Sequence, residues 1–171
     1  MEAAYPTPHQ FATPREAVVS AGVVAGTVAA FIEMMPVLGI QGSLLGVSPT
    51  VVFQSVSSGL IGKAAYQGGA ATVVAGVALH WMISIIAASI FAWAATRWAD
   101  LTKHVVLAGL GFGLLAVTVM NALVVPLSAA AFPPNRDDAL LLVSLAVHMV
   151  FFGLPISLAT KWVFRRSGRQ V

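Results

Sequence analysis

The sequence predicts an all-α integral membrane protein: a four-helix up-down bundle with an additional amphipathic or re-entrant helix in its first outer loop. Three observations carry this. The chain has 171 residues, 58% hydrophobic and only 9% charged. Soluble domains carry roughly 25% charged residues, so a chain this short and apolar needs lipid as its solvent. Four segments each supply the roughly 20 apolar residues that span a bilayer. Lysine and arginine are distributed unevenly between the two ends of those segments, which sets an orientation.

Residues 1–16 form a tail with three prolines, Pro6, Pro8 and Pro14. No basic region precedes an apolar stretch there, so it is not a signal peptide. It is expected to be extended, polyproline-like chain. The transmembrane domain covers 17–163, with spans at about 17–39, 70–96, 104–128 and 139–163. TRWADLTKH is the turn between the second and third spans. FPPNRDD is the loop between the third and fourth, and no helix crosses such a Pro/Asn/Asp segment. Residues 164–171 form a basic tail.

The loop between the first two spans is long and apolar. Within it Ser48 suits an N-cap and Pro49 a first helical position. Val52, Phe53, Val56 and Leu60 recur at helical spacing, with Thr50, Gln54, Ser57 and Ser58 on the other side. This predicts an amphipathic helix over 49–62, in the interface or dipping back into the bundle.

With the N-terminus inside, the cytoplasmic segments hold Arg15, Arg97, Lys103, Lys161, Arg165, Arg166 and Arg169, against Lys63 and Arg136 outside. Both termini are therefore expected in the cytoplasm. Trp93, Trp98 and Trp162 fall near the same ends, at headgroup level. Topology thus explains the net charge of +3 and the pI near 9.8, and no nucleic-acid partner is expected. The absence of cysteine excludes disulfides, thiolate metal sites and cysteine nucleophiles. No nucleophile elbow, phosphate loop or carboxylate pair points to a hydrolase or nucleotide enzyme, and no catalytic residue is assigned.

Membrane helices associate through close backbone approach and interhelical hydrogen bonds. Gly22-x-x-x-Gly26, Gly109-x-x-x-Gly113 and Ser84-x-x-x-Ala88-x-x-x-Ala92 supply three small-residue faces. They serve either a compact bundle or a partner subunit.

Ionisable groups inside membrane segments mark functional sites by default. Counting inward from the outer face places Glu33, His80, Asn121 and His148 at one depth, one from each span. Ser84 shares a face with His80, and Ser144 with His148. Pro36, Pro126 and Pro155 each release a carbonyl, those of Ile32, Ala122 and Phe151. His9 and His104 read as surface residues, and Met34-Met35 as filler.

Three readings of this layer compete. It is a structural hydrogen-bond layer; or His80 and His148 are axial ligands of haem b, or with Glu33 hold a transition metal such as Zn, Cu or Fe; or the layer is a path for protons or a small solute. The bulky neighbours Trp81, Met82, Met149, Phe151 and Phe152 count against a porphyrin.

The segments GVVAGTVAAFIE, GVSPTVVFQSVSSGLIGKAAYQGGAAT, ALHW, LAGLGFGLLAVTVMNALVVPLSA and VHMVFFGLPISLA resemble a group of bacterial inner-membrane proteins. More distantly, the chain is similar to the YagU-like four-helix proteins. The resemblance implies a bacterial inner-membrane location and transfers no reaction. The leading expectation is a non-enzymatic accessory or scaffolding subunit in the lipid bilayer, with other membrane subunits or a second copy as partners.

Overall fold

The computed structural model describes residues 13–130 and 138–168. Among them every regular element is helical, and four helices are long and apolar enough to cross a membrane. Apolar side chains point outward along all four, as Val19, Val74, Leu107 and Leu142 illustrate, one from each and all at least 63% exposed. Such a surface is stable against lipid tails and costly in water.

Helix α1 (Pro14–Leu45) is 32 residues long, about 48 Å. It begins three residues before the predicted start, for a readable reason. The Thr13 hydroxyl accepts from the Glu16 backbone N–H at 3.3 Å, and the Glu16 carboxylate accepts from the Thr13 N–H at 2.7 Å. Pro14 needs no donor in the first turn. The expected extended tail therefore stops before Thr13, and residues 1–12 lie outside the described residues. At the other end α1 passes through Pro36 and stops at Gly46, whose φ of 62° closes it in the left-handed region. The predicted end at residue 39 was six residues short.

Helix α2 (Pro49–Ile61) starts as expected, with the Ser48 hydroxyl accepting from the Val51 N–H. A 3₁₀ segment (Gly62–Gln67) leads into α3 (Gly69–Ala95), and a short α4 (Asp100–Lys103) follows. The third span joins α5 (Val105–Val119), a π-turn (Met120–Val124) and α6 (Val125–Leu127). The fourth joins α7 (Asp138–Val147), a π-turn (His148–Gly153) and α8 (Leu154–Arg166). Its helix takes in residues 164–166, which had been assigned to the basic tail; residues 169–171 and most of the FPPNRDD loop lie outside the described residues.

Each π-turn stands just before a proline, Pro126 or Pro155. Proline removes the i→i−4 bond, and a widened turn accommodates the loss. The carbonyls expected to be released, those of Ala122 and Phe151, lie inside these two turns.

The orientation of α2 differs from a helix that floats on its apolar side. Its polar face is buried against α3: Gln54 donates to the Thr72 hydroxyl at 3.2 Å, and Ser57 donates to the Thr72 carbonyl. Thr72 in turn donates to the Ala65 carbonyl at 2.7 Å. Leu60, on the expected apolar face, is 68% exposed. Val52 on the same side is buried, so α2 is packed on both sides at its start and opens outward toward its end, with the polar groups turned inward to find partners.

Helix α1 packs along α3 on one side and along α8 and its π-turn on the other, while α5 packs along the fourth span. The small-residue faces do this work within the chain. A methyl group on Gly26 would reach the Ile85 Cα at 2.5 Å and the Ser84 carbonyl at 2.8 Å, and one on Gly22 would overlap Ser89. Ala88 and Ser84 are buried on the facing side of α3. Gly109 and Gly113 meet the backbone of residues 148–154, and Gly153 meets both of them in return. Ser157 donates across this seam to the Val105 carbonyl at 2.8 Å.

Candidate functional site

Glu33 sits on the buried face of α1, 3% exposed, in line with Ala25, Ala29 and Ala30. Two histidines converge on it from α3 and the fourth span. His148 Nε2 lies 3.1 Å from Glu33 Oε1, and His80 Nε2 lies 3.9 Å from Oε2. The first distance lies within hydrogen-bond range; the second is charge proximity beyond it.

The tautomers follow from the partners. His148 Nδ1 is 2.7 Å from the Ser144 carbonyl oxygen. A carbonyl only accepts, so Nδ1 carries the hydrogen. In the neutral ring Nε2 is then a bare acceptor facing a carboxyl oxygen, and two acceptors repel. One proton must therefore lie between Glu33 and His148. Either a Glu33 carboxyl O–H donates to Nε2, or an imidazolium N–H donates to a carboxylate. Both forms leave the pair with no net charge, which avoids the several kcal/mol that a lone buried ion costs. His80 Nε2 is 3.3 Å from the Ala30 carbonyl, so its N–H donates there.

The site is asymmetric. His148 stands 3.1 Å from the carboxyl, while His80 waits one short movement away. Side-chain exposure rises from 4% at Glu33 through 13% at His80 to 26% at His148. His148 is thus the member that opens most to the surroundings.

The spans bring three of the four expected layer residues together. Asn121 stands in the π-turn of the third span and donates to the Val117 carbonyl of its own helix at 2.8 Å. The depth count explains the difference. Glu33, His80 and His148 lie 12, 11 and 10 residues from the span ends at Leu45, Gly69 and Asp138, whereas Asn121 lies six residues from Leu127. The serines also act differently from each other. Ser144 offers its carbonyl to the His148 ring, while the Ser84 hydroxyl donates to the His80 backbone carbonyl at 2.8 Å.

The geometry does not suit the ligand sets considered for His80 and His148. Haem ligation needs both Nε2 lone pairs directed at one iron from opposite faces. Here one Nε2 is an N–H turned to the Ala30 carbonyl and the other is engaged with Glu33. Among the described residues no group of three or more His, Cys, Asp or Glu is arranged to hold a metal ion, and Glu33, His80 and His148 form no such group.

Sequence reasoning passed over the seam beside the site. The Trp81 indole N–H donates to the Thr27 hydroxyl at 3.1 Å, and the Phe31 ring meets Trp81 edge-on at 4.5 Å. The available signal was an indole donor in an apolar segment, which needs an acceptor from another helix.

Comparison with protein-family models, curated proteins and solved structures finds no match to the chain.

Proposed function

We propose that this protein is a proton-conducting or proton-coupled multi-pass protein of a bacterial inner membrane, with Glu33, His148 and His80 as its relay. In this reading the spans form an up-down bundle with both termini in the cytoplasm and α2 at the opposite face. The bacterial location rests on the resemblance noted above, and the orientation on the lysine and arginine bias. The observation that carries the relay is the Glu33–His148 pair, whose partners require one shared proton at membrane depth. His80 can join the relay by passing its Nε2 hydrogen to Glu33 while its Nδ1 takes up another, after a movement of about 1 Å.

The test is proton flux into proteoliposomes under an imposed potential, followed by an entrapped pH dye. Glu33→Gln and His148→Ala should each abolish the protein-dependent flux. Unchanged flux in Glu33→Gln protein that remains monodisperse would remove the relay.

A second reading, an accessory or scaffolding subunit, is favoured by the end of α1. Gly39 and Gly46 have no atom within 4 Å of an added methyl, and Leu44 is 68% exposed. The glycine faces no longer support it, because they pack inside the chain. Cross-linking from residue 44 in native membranes, yielding only uncross-linked protein, would count against this reading.

A further inference from the structure

The last turns of α3 and α8 carry the same pattern, Trp93-x-x-x-Arg97 and Trp162-x-x-x-Arg166. In both the arginine folds back over the tryptophan. The guanidinium carbon lies 5.2 Å from the Trp93 ring centroid and 4.2 Å from that of Trp162. Both rings remain about half exposed, at 50% and 49%. These turns lie at one end of the molecule, since Ala17 and Ala21 share a core cluster with Ala92, Ala95, Val163 and Phe164.

Most of the cations at this end have no carboxylate partner among the described residues. Among the described residues Lys103 pairs with Asp100, whereas Arg15, Arg97, Lys161, Arg165 and Arg166 have no carboxylate partner. Glu16 is engaged in capping α1. Helix-dipole compensation accounts for a cation in a last turn but not for the stacking. A guanidinium held over an exposed indole keeps its donors near one fixed height, where amphipathic rings sit among headgroups. That fork matches two oxygens of a phosphate.

We propose that the two Trp-x-x-x-Arg turns are binding sites for the phosphate of an anionic phospholipid headgroup. The lipid is part of the working structure at this end. The proposal is independent of the proton relay, which lies farther along the spans.

The full chain is reconstituted in nanodiscs containing equal phosphatidylglycerol and phosphatidylcholine, extracted gently, and its retained lipids counted by native mass spectrometry. Phosphatidylglycerol should be retained with about fivefold preference. The double variant Arg97→Gln/Arg166→Gln should fall to parity. Lys161→Gln/Arg165→Gln, which removes the same charge without touching either stack, should keep most of the preference. Arg97→Lys/Arg166→Lys keeps the charge, folds under milder demands and should still lose preference. Parity in the unsubstituted protein overturns the proposal, as does equal loss in both charge-removing doubles. Displacement of the retained lipid by millimolar inorganic phosphate would assign the sites to free phosphate and overturn the lipid reading.

Discussion

Replacing Gly26 by alanine tests the packing that positions the candidate site. The added methyl would stand 2.5 Å from the Ile85 Cα, 2.7 Å from its nitrogen and 2.8 Å from the Ser84 oxygen. These are backbone atoms, so no rotamer change relieves the overlap. Ordinary contact begins near 3.4 Å, so α1 and α3 must separate by about 0.9 Å along that line. Overpacking of this kind costs about 1–3 kcal/mol. The separation also acts one turn on, where His80 Nε2 reaches the Ala30 carbonyl at 3.3 Å. Stretched by most of an ångström, that bond is lost, removing about 0.6 kcal/mol more. A total loss of about 2.6 kcal/mol is expected in reversible unfolding in mixed micelles, followed by far-ultraviolet circular dichroism. Gly111 is the control, because an added methyl there meets nothing within 4 Å. Gly111→Ala should stay within about 0.5 kcal/mol of the parent. Equal stability of the two variants would refute the reasoning.

Gly153→Ala should be more damaging than Gly109→Ala by the same assay, since its methyl overlaps the Gly109 carbonyl and the Gly113 backbone while that of Gly109 first meets a serine hydroxyl. Ser157→Ala removes the hydroxyl that bonds Val105 across the same seam, and should cost about 0.6 kcal/mol in unfolding measurements. Gln54→Leu with Ser57→Ala should release α2 from α3, read as faster hydrogen exchange over 49–61 with little change in α1. Nitrogen-15 spectra of labelled histidine should show His148 with hydrogen on Nδ1, and Ser144 sits beside it as carbonyl acceptor. A neutral ring with hydrogen only on Nε2 would contradict the shared-proton geometry.

Much of the architecture was legible because a bilayer makes strict demands. Apolar runs of spanning length admitted little but helices, and four such helices stand in the structure. The α2 start was readable from Ser48-Pro49 alone. The α1 start was equally readable, as Thr13-x-x-Glu16, but the prolines around it suggested tail. Its far end was not, because Gly39 and Gln41-Gly42-Ser43 break the apolar run while the helix continues to Leu45. Glu33, His80 and His148 could be grouped by counting depth. Asn121 was grouped with them because the count took α1 to end at residue 39, six residues short of Leu45. The burial of the polar face of α2 was also beyond the pattern, since amphipathicity shows two faces and not which solvent each meets. Gly153 and Ser157 stand four residues apart as a further small-residue pair, and the opposing Gly109 and Gly113 reveal the role of Gly153.

The π-turn at His148–Gly153 makes the fourth span two helices of different phase on one axis. Residues before it are set by the need to aim His148 at α1, and residues after it by the need to lay Gly153 and Ser157 against α5. A regular helix has a single angular setting for both tasks. Deleting one residue inside the turn would restore regular winding and rotate His148 by about 100° relative to α8. The extra residue is therefore a vernier adjustment: it lets the packing seam and the carboxyl-facing imidazole be tuned separately within one continuous span.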